Sequence, residues 1–277
     1  MRSGPGRLSI EFVRDDSGRT YVGHQYASYP FHVCRPLYLD KNCPALATLY
    51  AQSCSGGLYA DDEHRLELIA REASEAHFTT QASTIVHSME HGRAVIDMRI
   101  IAERGAYLEY LPDPQILFPR ASVISAIRIS MADDATVLVS DSWLTHDHRQ
   151  DGGLPSLYQS EIAVENSLGR KLAIDRLRLD SRAFASARPG VLGNFHAHGT
   201  LLVATQSLLA ADLCGWGQRQ SWDYGEAAIG VSTLPNGAGM VFRIMARDAV
   251  LLKRAMHTCW HDVRLALKSH APTPRRK

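Results

Sequence analysis

The stretch that decides the fold is Leu66–Thr80, LELIAREASEAHFTT, because two imperfect copies of it follow: Met98–Leu111, MRIIAERGAYLEYL, and Ile127–Ser140, IRISMADDATVLVS. Aligned on Ala76, Ala106 and Ala135, the copies stand 30 and 29 residues apart. Each carries an apolar residue eight before the alanine (Leu68, Met98, Ile127) and another two after it (Phe78, Leu108, Val137), around a short polar turn. A unit of this kind is one strand, a turn and a second strand. Alone it cannot bury its apolar side, so copies at such a period stack. The expectation is a mainly β fold of layered strand-turn-strand units, β-helix-like stacked sheets, with about two α-helices, one at the C-terminus.

Working outward, Arg7–Val13 alternates apolar and polar residues, Asp15-Asp16-Ser17-Gly18 supplies turn chemistry, and Arg19–Tyr26 returns as a second strand. Gln159–Asp180 reads as a hairpin turning at Asn166–Gly169, and Thr233–Met245 as another turning at Asn236-Gly237. The C-terminal segment places Leu252, Met256, Cys259, Val263 and Leu267 at helical spacing. Its Lys253, Arg264 and Lys268, with His257 and His261, read as a solvated cationic side. Leu201–Leu213 is a second, weaker helix candidate. No linker forces a boundary, which predicts one domain over 1–270 and a flexible tail over 271–277.

With 30 Lys+Arg against 29 Asp+Glu, the chain has no field to gather nucleic acid or anionic lipid. Met1–Ile10 lacks an apolar core of signal-peptide length, and the uncharged run Pro189–Ala211 is broken by polar residues, so a soluble cytoplasmic chain is expected. The 5 cysteines are odd in number and have no C-x-x-C spacing, which argues against a disulfide framework and a structural zinc site. No P-loop, G-x-S-x-G elbow or G-x-G-x-x-G fingerprint occurs.

Among possible sites, His196 and His198 would share one face of a strand and could serve a β-solenoid or sandwich metallohydrolase, although no acidic or cysteine partner is close in sequence. His257 with His261, and His146-Asp147-His148, are further histidine candidates. Asp61-Asp62-Glu63 suits either a hard cation or a solvated turn. Asp141, Glu165 and Asp175 lie in strand-like sequence, where an inward carboxylate would need a partner or water.

The string Thr79-Thr80-Gln81-Ala82-Ser83-Thr84 resembles the Thr-Thr-Gln-Ala-Ala-Thr signature of the urease accessory protein UreD family, called UreH in some organisms. Arg35-Pro36-Leu37-Tyr38, Ser55-Gly56-Gly57-Leu58, Leu108-Glu109-Tyr110-Leu111-Pro112, Asp175–Leu179 and Gly199–Leu202 stand in the family's order, so the similarity covers about Arg7 to Ala266. The chain departs from the family at Ile85-Val86-His87-Ser88, at Tyr59-Ala60-Asp61 and in the loop Thr145–Gly152. The resemblance implies a non-enzymatic chaperone of metallocentre assembly with no tightly bound cofactor. Such a chaperone would bridge the urease apoprotein and a UreF-like partner, through which a UreG-like GTPase joins, and nickel would pass through its interior. It implies interior or motif roles for Arg35, Pro36, Gly56, Gly57, Thr79, Thr80, Gln81, Ala82, Glu109 and Pro112. Within that picture the oxygen ligands for nickel in transit would be Asp61, Asp141, Glu165 and Asp175, because weak serial sites release an ion that a closed thiolate or imidazole cage would keep.

Overall fold

The computed structural model describes residues 4–188, 191–206, 215 and 227–273. In chain order its strands are β1 (Gly6–Arg14), β2 (Thr20–Ala27), β3 (Phe31–Val33), β4 (Ala47–Ser53), β5 (Glu63–Ala70), β6 (Glu75–Thr80), β7 (Thr84–Val86), β8 (Ala94–Ala102) and β9 (Tyr107–Tyr110). They continue with β10 (Gln115–Leu117), β11 (Ser122–Met131), β12 (Thr136–Thr145), β13 (Leu157–Asn166), β14 (Lys171–Asp180), β15 (Ala197–Thr205), β16 (Ala227–Thr233) and β17 (Gly239–Ala246). The helical elements with described bounds are one α-turn, α1 (Ser181–Phe184), a 3-10 turn at Pro235–Gly237, and the long α2 (Ala249–Lys268).

The repeat copies are the rungs of a layered body. β5, β8 and β11 pair in parallel within a sheet ordered β14-β13-β11-β8-β5-β1-β2, while β6, β9 and β12 pair in parallel within a second, ordered β16-β17-β15-β12-β9-β6-β4-β3. Each rung therefore gives one strand to each sheet. The expected hairpins are present as β1–β2, β13–β14 and β16–β17, all antiparallel. In the last of these Asn236 and Gly237 both take positive φ, 54° and 65°, as a tight turn of that pair requires.

The register corrects the sequence alignment in one place. Met98 faces Ile127, as aligned, but it faces Leu66 and not Leu68; likewise Leu108 faces Ala76 and not Phe78. The first pair of rungs is thus offset by two residues from the alanine alignment. A slip of two keeps every side chain on its own face of a strand, so an apolar pattern cannot detect it, whereas a slip of one would have turned the core outward.

Ile10, Leu68, Ile100 and Ile129 form one inward row of the first sheet, and Ala76, Leu108 and Val137 a row of the second; all are fully buried or nearly so. Burial of each large aliphatic residue contributes about 1.5–3 kcal/mol. The second sheet is covered on its other side by α2, where Leu201, Val203, Phe242 and Ile244 meet Leu252, Ala255, Cys259 and Val263. The helix starts on Asp248, whose carboxylate accepts from the Leu251 N–H at 2.8 Å.

Around this second layer the structure departs from what the sequence suggested. Leu201–Thr205, expected as helix, is the end of β15; the rest of that candidate, beyond Gln206, lies outside the described residues. Every position of β15 is buried, because the core lies on one side and α2 on the other, so no alternation marked it as strand. Arg264, read as part of a solvated side, is 1% exposed. Pro272, in the stretch expected to be loose, is buried, and Thr273 donates to Asp40 at 3.4 Å; residues 274–277 lie outside the described range.

Candidate functional site

Four residues along from the apolar rows, past a second apolar row that holds Ile127 and Val139, the interior turns polar. On the first sheet Ser125 stands directly beside Ser160; on the second Asp141 stands beside Thr200, which stands beside Arg243. Ser125, Ser160, Asp141 and Thr200 are all buried. Asp141 accepts from the Tyr158 hydroxyl at 2.7 Å. Burial raises its carboxyl above the ordinary value, the bonds from Ser160 and Tyr158 offset part of that, and the nearby Asp175 charge adds to it. Asp175 is ion-paired with Arg243. A cavity of about 270 Å³ occupies this layer and is lined by Thr80, Gln115, Ser125 and Asp141 among others. It has room for several waters or a hydrated cation.

The Thr-Thr-Gln string forms one corner of this cavity. β6 stops at Thr80 and β7 starts at Thr84; on the next rung β9 stops at Tyr110 and β10 starts at Gln115, and β7 pairs with β10. The breaks at Gln81–Ser83 and Leu111–Pro114 therefore stack. Pro112 and Pro114 have no N–H to continue a ladder. The threonines fasten the corner: Thr79 Oγ1 donates to the Leu111 carbonyl at 2.7 Å, and Thr80 Oγ1 accepts from the Asp113 N–H at 2.9 Å. β12 runs past the break unbroken, pairing with β9 through Val139 and with β10 from Trp143, which leaves Ser140–Ser142 facing the gap. Gly56 and Gly57 close the cavity rim. Gly57 has φ +144°, and a Cβ there would lie 2.3 Å from the Ile85 carbonyl oxygen, so no larger residue fits.

A second cavity of about 250 Å³ lies on the α2 side of the same sheet, bounded by Lys253 and His257. Both cavities share Pro112, Asp113, Ser140 and Ser142. The stacked corner is thus a polar wall between an interior cavity and one beneath the helix.

Of the four carboxylates singled out from sequence, Asp141 lines the first cavity, whereas Asp175 is ion-paired with Arg243 and lines neither cavity. Asp61 sits at φ +64° in an exposed turn, and Glu165 lies at the irregular end of β13 opposite Lys171; neither lines the cavities. Asp113, which does line both, was missed, although its place between two prolines after a strand was a signal. Arg35 and Pro36 lie on the surface before the Leu37–Thr48 bridge, away from the cavities. Gln81 and Ala82 line the mouth, and Thr79 points the other way, toward α2.

The histidine candidates stay dispersed. His196 is exposed, while His198 is buried and stacked on Trp143 at 5.8 Å. His257 and His261 have ring centres 6.4 Å apart, with His261 bonded to Asp262. His146 and His148 pack on Phe118, while Asp147 accepts N–H bonds from Arg149, Gln150, Gly152 and Gly153 to shape its loop. Among the described residues no group of three or more His, Cys, Asp or Glu side chains is placed to hold a metal ion.

Glu109, the acidic residue of the Leu-Glu-Tyr-Leu-Pro motif, serves a different purpose. It faces α2 at 0% exposure and accepts from Arg264 Nε at 2.7 Å and Nη2 at 2.6 Å, from Trp260 Nε1 at 2.9 Å and from the Tyr107 hydroxyl at 2.7 Å, with His77 Nδ1 at 2.6 Å. Burial alone would raise its carboxyl, but the Arg264 charge and the bonds from His77 and Arg264 hold it well below the usual carboxylate range. Arg264 also bonds Asp40 at 2.8 Å, and Lys268 bonds Glu75 at 2.8 Å. This network ties α2 to the sheet. Sequence reading could not find it because Arg264 lies 155 residues from Glu109 and 224 from Asp40.

Comparison with known proteins agrees with this layout. The family model described as UreD urease accessory protein matches residues 4–277. Urease accessory protein UreD 1 of Pseudomonas syringae pv. syringae is 37% identical over 268 residues, covering 97% of this chain and 94% of that protein. Its counterpart in Methylorubrum extorquens is 37% identical over 275 residues, covering 98% and 91%, and urease accessory protein UreD of Haloarcula marismortui is 31% identical over 273 residues, covering 97% and 89%. With nearly the whole chain matched on both counts, the protein belongs to the UreD urease accessory protein family.

Proposed function

We propose that the chain acts in urease maturation as a non-enzymatic scaffold that conducts nickel to the urease active site. In this reading the cytoplasmic urease apoprotein is one partner and a UreF-like protein the other, through which a UreG-like GTPase joins. Nickel is cargo, and no cofactor is held tightly. The observation that carries the reading is the buried polar layer around Asp141, with its cavity and the corner wall it shares with the cavity under α2. Hydroxyl and carboxylate oxygens in series suit the passage of a divalent cation, since each site offers too few donors to keep it. No described helix is long and apolar enough to cross a membrane.

The test is to express the host's urease genes at fixed nickel with this chain, with Asp141→Leu, and with Ser125→Met, which fills the layer with apolar volume. Both variants should co-purify with urease and the UreF-like partner yet activate little urease. Full activation by both, with intact partner binding, would remove the conduit; loss of partner binding would instead place the residues in folding.

A further inference from the structure

The interior contains a row that the reading above does not use. Gln115, Trp143 and His198 stand directly side by side across β10, β12 and β15. Directly paired residues project from one face of a sheet, so the three share the face that carries Asp141, two residues before Trp143. Gln115 Oε1, Trp143 Nε1 and His198 Nδ1 are each buried without a hydrogen-bond partner in the protein. Buried polar atoms are nearly always paired, and unpaired ones in adjacent positions mark a place shaped for something besides the fold. Apolar residues would have filled the row at lower cost.

Two of the three atoms, the Gln115 oxygen and the His198 nitrogen, can offer a lone pair to a cation; the Trp143 N–H is a donor and cannot. Gln115 Oε1 brings an acceptor to the cavity that Asp141 lines, and His198, two positions along the row and outside the cavity lining, carries an unpartnered imidazole nitrogen. His198 is 8% exposed, and its Nδ1 meets no donor or acceptor of the protein. The Trp143 ring, stacked at 5.8 Å and 20°, fixes the imidazole plane. Because Asp141 pairs with Thr200 and Trp143 with His198, Asp141 and His198 are diagonal neighbours, about 7 Å apart at Cβ, a span their side chains can bracket. Two residues beyond, His196 is at the surface, its N–H bonded to the Ala246 carbonyl.

We infer that Asp141 and His198 form an oxygen–nitrogen station by which a divalent transition-metal ion leaves the interior layer toward the surface at His196. This rests on the conduit reading and adds a direction and a ligand type to it. Imidazole suits nickel, copper and zinc better than magnesium or calcium, so the station also favours such ions over the commoner hard ones. Two protein donors delay an ion without caging it.

The experiment uses the purified full chain and nickel chloride alone, by equilibrium dialysis at neutral pH, comparing the wild type with His198→Phe, His198→Gln and His196→Ala. Both His198 variants should weaken one nickel site by at least about 10- to 100-fold, the range lost when only a contact supporting a metal ligand is removed, because here a ligand itself goes. His196→Ala should keep that site but slow urease activation. His198→Gln covers the chance that His198→Phe folds poorly, and the circular dichroism of each variant is matched to the wild type first. If both His198 variants bind nickel and activate urease like the wild type while Asp141→Leu does not activate, the row holds ordered water and the inference falls with the conduit intact. If Asp141→Leu also activates fully, the conduit reading fails as well.

Discussion

Arg264→Met tests whether the helix is held by charge. The guanidinium gives two bonds to Glu109, at 2.7 and 2.6 Å, and one to Asp40 at 2.8 Å, and all three side chains are at most 6% exposed. Removing one member of a buried ion pair costs about 3–5 kcal/mol, because the partner charge stays buried without compensation. Tyr107, Trp260 and His77 still serve Glu109, which places the expected loss near the lower end, about 3 kcal/mol. Against a total stability of about 5–15 kcal/mol, that is a large fraction. Glu109→Gln should cost a similar amount, since its new amide N–H group would face donors. The double variant Glu109→Leu/Arg264→Met should be less destabilised than the sum of its single changes by about 2 kcal/mol or more, since an apolar pair of like volume replaces a buried ion pair at little cost. Urea unfolding followed by tryptophan fluorescence measures each term. Single losses below about 1 kcal/mol, or strict additivity, would refute the argument. The same network fixes a pH trend: a carboxyl held below its unfolded value of 4.5 contributes stability above that value and loses it as pH falls further.

Asp141→Asn should raise the unfolding midpoint at pH 7 while impairing urease activation. A carboxyl whose folded pKa is raised loses stability for the fold as pH rises above its unfolded value of 3.8, so Asp141 opposes folding at pH 7, and the amide oxygen of Asn still accepts from Tyr158; a lower midpoint would contradict this. Gly57→Ala should cost about 1–3 kcal/mol through its φ of +144° and its contact with the Ile85 carbonyl, read as a fall in melting temperature. An unchanged melting temperature would show that the rim can relax. His198, normally near 6.5 and held here at about 4, should make the wild type lose about 3 kcal/mol between those pH values as the buried ring is forced to charge. His198→Phe should lack that part of the slope in acid titrations of stability.

The layered β body was legible because its cause is local. Alternation, turn chemistry and a period near 30 residues are all present within Leu66–Ser140. The two-residue error in the first rung shows the limit of that signal, since parity on a strand survives such a slip. β15 was misread because burial on both sides erases the alternation that identifies a half-buried strand. The candidate site was legible only in part. Thr79–Gln81 and Gly57 shape the corner where the motif pointed, and Asp141 faces inward. Asp61 and Glu165 do not, because a carboxylate in a strand or turn says nothing about which face it takes. Glu109 belongs to the matching motif yet serves the helix anchor, which only contacts across 155 residues disclose.

The placement of these two carboxylates on one sheet is itself a physical argument. Glu109 lies on the helix side of β9 and is saturated by donors, so its charge is stabilised and immobile. Asp141 lies on the inner side of β12, where burial outweighs its two hydroxyl donors and its charged form is disfavoured. A saturated carboxylate has no oxygen left for an ion, whereas an under-served one gains from any cation that reaches it. Stability is therefore concentrated on the α2 side of the sheet and unmet ligand capacity on the inner side. Mutations on the two faces should separate accordingly: those around Glu109 should lower folding stability and activation together, and those around Asp141 and His198 should lower activation with stability kept or raised. A set in which activation tracks stability on both faces would show that the inner layer is only packing.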